Sequence, residues 1–128
     1  KLSPILWTKD LAETIHFYET ILGFKGRSTF PHFVSLTKGP VEVMFVVPEH
    51  EREDGEAGGS AGDQATHPLP GSLYFFMEDV AGFWHSVKDH VKVKYALQDR
   101  QYLMRDFSIE DNNGYELVFG EDISTKSI

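Results

Sequence analysis

The chain states one pattern twice. "SPILWTKDLAETIHFY" fills positions 3–18 and "SLYFFMEDVAGFWHSV" fills 72–87, so that Ser3 falls on Ser72, Asp10 on Asp79, Ala12 on Ala81 and His16 on His85. A duplication of this kind restricts the fold strongly, because each copy must build the same small unit. In the first copy, "DLAETIHFYETILG" predicts a helix. Asp10 is a good N-cap, Glu13 stands three residues on as in a capping box, and Gly23 supplies a stop. Its apolar stripe is Leu11, Ile15, Tyr18 and Leu22, the spacing of one helical face. The second helix starts at Asp79 with the stripe Val80, Trp84, Val87 and Val91, which predicts that both copies bury the same face.

The other segments read as strands. "SPILWT" and "SLYFFM" precede the helices. "RSTF", "HFVSL" and "VEVMFVV" follow the first, and "VKVKYAL", "YLMRDFSI" and "YELVF" follow the second. "VSLTKGPVEVMF" parallels "FSIEDNNGYELVF", each a strand, a turn and a strand, and "EDNNG" holds residues that tolerate positive φ. Each half is thus strand, helix, three strands. The fold class is α+β, with tandem βαβββ modules in one domain, 1–128: module one 1–48, a flexible acidic Gly-rich linker 49–68, and module two 69–122. The linker "EHEREDGEAGGSAGDQATHP" either simply connects or forms a flap over a pocket.

Composition narrows the function. The 12 Lys and Arg against 20 Asp and Glu give a charge of −8, which argues against nucleic acid as a partner. The chain has no Cys, which removes disulfides, thiolate nucleophiles and Cys-based zinc sites. No apolar run approaches the ~20 residues of a membrane span, and no secretory leader pattern is seen. No membrane partner and a reducing cytoplasm are therefore expected. Ten Phe, five Tyr and two Trp need a core, a pocket or an interface to receive them.

The Asp-capped repeat, "KDLAETIHFYETILGF" and the closing "RDFSIEDNNGYELVFGE" together resemble the vicinal oxygen chelate superfamily, which holds glyoxalase I, extradiol dioxygenases, fosfomycin-resistance enzymes and bleomycin-resistance proteins. The resemblance covers nearly the whole chain. It implies curved mixed sheets around a cup-shaped cavity, helices outside, and subunits that pair as a homodimer. It also implies four equivalent positions for metal ligands in enzymatic members. By motif these are Ser3 and Ser72, each seven residues before a capping Asp, Val118, four after Gly114, and Met44, which matches Val118 in the first half. Two hydroxyls, a thioether and an isopropyl group are not a ligand set for a divalent ion. The resemblance is therefore nearest the bleomycin-resistance branch, whose members bind a drug without metal and which tends to show Pro in the first strand, as Pro4 does here.

Alternation places Trp7 with Ser3 and Ile5, and Tyr74 and Phe76 with Ser72, so these aromatics line a cavity or fill it as core, while Leu6, Phe75 and Met77 face the helices. The same rule puts Glu42 on the face of Met44 and Glu116 on the face of Val118. The two acids are solvated edge charges, attractors of a cationic ligand, or a general base. With His32, which follows Pro31 in a strand and sits at a cavity mouth, they are also candidates for a displaced metal site. His16, His85 and His90 read as surface residues, and His50 and His67 flank the linker. Nothing resembles a nucleophile triad or a phosphate loop.

The expected function is metal-free binding of a small molecule, cationic or aromatic, by Trp7, His32, Glu42, Met44, Tyr74, Phe76, Glu116 and Val118. No cofactor is expected and catalysis is not. The alternatives are a metal-dependent lyase, isomerase or dioxygenase with displaced ligands, and a protein-interaction domain with a filled pocket.

Overall fold

The computed structural model describes residues 2–28, 30–49 and 70–125, and the chain divides into two compact units, 1–67 and 68–128. The first contains β1 (Ile5–Trp7), α1 (Leu11–His16), a π-helical stretch (Phe17–Ile21), β2 (Lys25–Arg27), β3 (Phe33–Lys38) and β4 (Val41–Val46). The second contains β5 (Ser72–Phe76), α2 (Val80–Val87), β6 (Lys92–Asp99), β7 (Met104–Glu110) and β8 (Glu116–Asp122). The sheets have matching orders, β1-β4-β3-β2 and β5-β8-β7-β6. In each, the first strand runs parallel to the last and the remaining pairs are antiparallel. This is the α+β, tandem βαβββ arrangement expected from the repeat. Of the linker 49–68, only Glu49 belongs to the described residues, so the flap reading, His50 and His67 lie outside them.

Both helices start at their Asp. Asp10 Oδ1 accepts from Glu13 N at 2.9 Å, and Asp79 Oδ1 accepts from Gly82 N at 3.2 Å. Asp79 does so from the left-handed region, φ 54°. The first helix does not stay α to its end. Leu22 N donates to Phe17 O at 3.3 Å, one residue further back than an α-helix reaches, and Gly23 at φ 80° ends the element. Tyr18 and Leu22 of the expected stripe are fully buried, Leu11 and Ile15 half-buried. Thr14 is fully buried too, its hydroxyl sharing a hydrogen bond of 2.9 Å with that of Thr8 and thereby matching its polarity. In the second unit Val80 and Val87 are buried and Trp84 is half-buried. The helix ends at Val87, so Val91 lies beyond it rather than on its stripe.

Two strand expectations shift. The strand expected at "RSTF" is Lys25–Arg27, because Lys25 pairs with Thr37 and Arg27 with Ser35, after which the Ser28 hydroxyl donates to Phe33 O and turns the chain. His32 is not in a strand. It sits in a turn at φ 63° before β3, half-buried.

Each sheet buries one face against its own helix. Leu6, Val34, Leu36, Val43 and Phe45 of the sheet are buried, as are Tyr18 and Leu22 of the helical element, in the first unit. The Tyr18 ring stands edge-on to Phe24 and Phe45 at 5.2 and 5.4 Å between centroids. Phe75, Phe107, Ile109, Leu117 and Phe119 do the same in the second, where Phe83 and Trp84 from α2 lie 5.0 Å from Phe119 and Phe107. Aromatic edges on faces add to the area term in both cores. The opposite face of each sheet carries the candidate site residues.

Candidate functional site

Strand alternation is confirmed for Trp7, Tyr74 and Phe76. Leu6 and Phe75 are buried on the helix side, whereas Ile5, Trp7, Tyr74 and Phe76 are exposed on the other. Met77 departs from expectation. It follows β5, is half-buried, and lines with Phe76, Glu78, Glu121, Asp122 and Thr125 a cleft of about 410 Å³. Glu121 is not loose in that cleft, since its Oε1 accepts the amide of Val80 at the start of α2 at 3.1 Å.

In the first unit the open face is built in rows. β1, β4 and β3 align Ile5 with Met44 and Ser35, and Trp7 with Val46 and Phe33. Glu42 lies at one end. Its Oε1 accepts from the Ser3 hydroxyl at 2.8 Å and its Oε2 from that of Ser35 at 2.5 Å. Ser3, at one of the four positions where the resemblance implies a metal ligand, therefore serves as a donor to a carboxylate. His32 lies at the other end. Its carbonyl accepts from Val47 N at 3.0 Å, while Glu42 pairs with Thr37. Five residues along β4 is roughly 17 Å. The displaced site with Glu42 and His32 as ligands is therefore corrected: register holds the two apart.

The second unit repeats the rows with other side chains. Tyr74 aligns with Val118, Ser108 and Tyr95, and Phe76 with Gly120, Asp106 and Gln98. Glu116 accepts from the Ser108 hydroxyl at 2.7 Å and lies 4.0 Å from Lys94. Of the other positions where the resemblance implies metal ligands, Met44 is half-buried, Val118 is nearly sealed at 4% exposure, and Ser72 is exposed. Among the described residues no three His, Asp or Glu side chains converge as a metal site would require. A divalent ion does not fit the donors at these four positions.

The most developed feature is one the sequence reading missed. Asp106 is completely buried on the open side of β7. Its Oδ2 accepts from the Tyr74 hydroxyl at 2.8 Å and more weakly from that of Tyr102 at 3.4 Å. Its Oδ1 accepts from Arg100 Nε at 2.9 Å. The guanidinium lies over the Tyr95 ring, 4.4 Å from its centroid. Irregular register between β6 and β7 sets Tyr95 opposite Ser108, in the row of Tyr74 beside that of Asp106. Tyr74 reaches Asp106 by crossing Gly120. A Cβ on that glycine would stand 2.1 Å from the phenol oxygen, so only Gly leaves room. Burial first, then the hydrogen bond and charge of Asp106, raise the Tyr74 pKa above the ordinary tyrosine range. Asp106, followed by the Tyr95 phenol, raises that of Arg100. The network fixes Tyr74, and Phe76 packs 5.1 Å from it while remaining 67% exposed.

The profile of the Glyoxalase/Bleomycin resistance protein/Dioxygenase superfamily matches residues 2–119. The chain belongs to this superfamily. Solved structures of similar fold include a protein of unknown function from Agrobacterium tumefaciens str. C58, with 24% identity, a TM-score of 0.70, and coverage of 94% of this chain and 92% of that one. TioX from Micromonospora sp. ML1 has 17% identity, a TM-score of 0.73, and coverage of 94% and 97%. A glyoxalase/bleomycin resistance protein/dioxygenase from Alicyclobacillus acidocaldarius has 15% identity, a TM-score of 0.71, and coverage of 99% and 94%. At these identities the likeness concerns the fold alone. No curated protein sequence matches the chain. Among the described residues no helix is long and apolar enough to cross a membrane.

Proposed function

We propose that the chain is a small-molecule binding protein of bleomycin-resistance type that works without metal, holding an aromatic ligand on the open face of its second sheet. The observation that carries this reading is the pair Tyr74 and Phe76. Two large aromatic side chains stand exposed side by side, and one of them is locked from behind by a buried carboxylate. A fixed ring loses little entropy when it stacks on a ligand, which favours recognition. Sequestration needs affinity and no reacting group. That agrees with hydroxyl, thioether and isopropyl groups at the family's metal positions.

A preference for positive charge, suggested by Glu42 and Glu116, has less support. Both carboxylates are engaged by serine hydroxyls, and Glu116 has Lys94 beside it. Homodimerisation remains part of the proposal, since β1 and β5 are edge strands with exposed Ile5, Trp7, Tyr74 and Phe76. Sedimentation equilibrium at micromolar concentration reads it directly, and a clean monomer counts against it.

The binding reading is tested on protein purified without a metal-affinity tag. Mass spectrometry should find no stoichiometric Zn, Fe, Ni or Mn, and planar aromatic compounds should raise the melting temperature. That rise should vanish in Phe76→Ala. Stoichiometric metal, or an aromatic panel with no effect, would overturn the proposal.

A further inference from the structure

Arg100 adds a chemical preference to this face. We propose that it is the anchor for a carboxylate on the aromatic ligand, an inference that rests on the aromatic site just described. The guanidinium is held in two ways. Its Nε donates to the fully buried Asp106, and it lies over the Tyr95 ring, 4.4 Å from the centroid. An arginine has five N–H donors in a rigid fork. With Nε given to Asp106, the other donors meet no second carboxylate among the described residues, while 27% of the side chain remains exposed. A charge so oriented has already lost its rotamer freedom, and a planar carboxylate can meet it edge to edge.

The surroundings fit the rest of such a ligand. Tyr74 and Tyr102 donate to the same carboxylate that holds Arg100, so their rings are tied to the guanidinium through one residue. Phe76 adjoins Tyr74. An aromatic body on Phe76 and Tyr74 with its carboxylate toward Arg100 uses each exposed element of the network.

The net charge of −8 opposes an anion only at long range. At physiological salt such fields are screened within about 8 Å, so the short contact to a fixed guanidinium dominates. The acids Glu78 and Asp122 beside Phe76 favour the opposite sign, and a cationic probe measures their pull.

The experiment is calorimetric titration of the full chain with three probes of one shape: 2-naphthoate, 2-naphthamide and 2-naphthylmethylammonium. The expected result is that naphthoate binds about tenfold more tightly than the amide, the worth of one charge-assisted hydrogen-bonded contact. The ammonium should bind most weakly. Arg100→Lys, which retains a cation for Asp106, should cut the ratio of naphthoate to amide affinity severalfold. If the amide or the ammonium equals naphthoate, the carboxylate anchor is wrong and the aromatic site stands. If none of the three binds, both fall. The comparison on the unaltered chain carries the test even if a variant at Arg100 folds poorly.

Discussion

The two open faces have the same backbone and opposite contents. Where the first sheet places Ile5, Trp7, Phe33 and Val46, the second places Tyr74, Phe76, Asp106 and Gly120 at the corresponding register. The serine–glutamate pairs survive in both, Ser35 with Glu42 and Ser108 with Glu116. One half thus has an apolar row, and the other a buried acid ringed by donors. The exchange is concerted. A tyrosine can reach across β8 only because Gly120 removed a side chain, and an acid can be buried in β7 only because Tyr74 and Arg100 arrived to satisfy it. Duplication supplies the scaffold, and divergence of a few coupled positions supplies the site.

Asp106→Ala should break this asymmetry with the largest effect. It removes the acceptor of two short hydrogen bonds and strands Arg100 against Tyr95. A loss of about 3 kcal/mol in unfolding free energy is expected from chemical denaturation. Asp106→Asn should lose less, since it keeps one acceptor. The same substitution at the first half's counterpart, Phe33→Ala, should cost about 1 kcal/mol, because that side chain is only half-buried. Equal losses at Asp106 and Phe33 would show that the network contributes nothing beyond packing.

Gly120→Ala comes next, at about 2 kcal/mol, because its methyl overlaps the Tyr74 phenol. The backbone conformation tolerates a methyl, and the three atoms nearest to it all belong to Tyr74. The double variant Gly120→Ala, Tyr74→Ile removes the clash but also the hydroxyl that Asp106 accepts from, so its loss should be clearly smaller than the sum of the two single losses. Additive losses would mean that the two residues are not coupled. A smaller contrast is expected at the conserved pairs within the chain. Glu42→Ala, losing two hydroxyl donors, should cost about 2 kcal/mol. Glu116→Ala should cost about 1, since it loses one such donor and a 4.0 Å ion pair open to solvent.

The repeat made the scaffold legible and hid the site for the same reason. Echoes between the halves locate what both share: capping Asp residues, helix stripes, strand order. Asp106, Gly120 and Arg100 have no echo, since Phe33 and Val46 stand opposite the first two and Arg100 follows an irregular strand pairing. Two signals were nonetheless present. Asp106 alternates with Ser108 on a strand whose neighbouring positions are Phe107 and Ile109, which places an acid on the face of Val118. Gly120 is a lone glycine in a strand, the mark of a close approach. The π-helical turn after His16 and the positive-φ turn at His32 were not legible, because both answer to tertiary register rather than to local pattern.

Alkaline titration sharpens the comparison at the smallest scale, because the two halves respond with opposite sign. Burial lowers the pKa of Lys38 in the first unit. Between that value and 10.5 the unfolded chain binds the proton more tightly, so this residue's share of stability rises with pH and levels off above 10.5. Tyr74 in the second unit has its pKa raised, so the folded chain keeps a proton that the unfolded chain sheds near 10. Its contribution is whole below pH 10 and declines as pH climbs toward the folded value. Tyr74 is partly exposed, so solvent screening limits the change to less than about 1 kcal/mol between pH 9 and pH 11. Unfolding free energies at those two pH values, for the unaltered chain and for Tyr74→Phe, isolate the term. The unaltered chain should lose more stability than the variant over this interval, and phenolate absorbance should show one fewer late-ionising tyrosine in Tyr74→Phe, with Tyr95 still ionising late in both. A Lys38→Met variant should shift the difference the other way, losing more stability over the interval than the unaltered chain. If Tyr74→Phe and the unaltered chain run parallel, the phenol is not held by Asp106 in solution, and the second face is no more preorganised than the first.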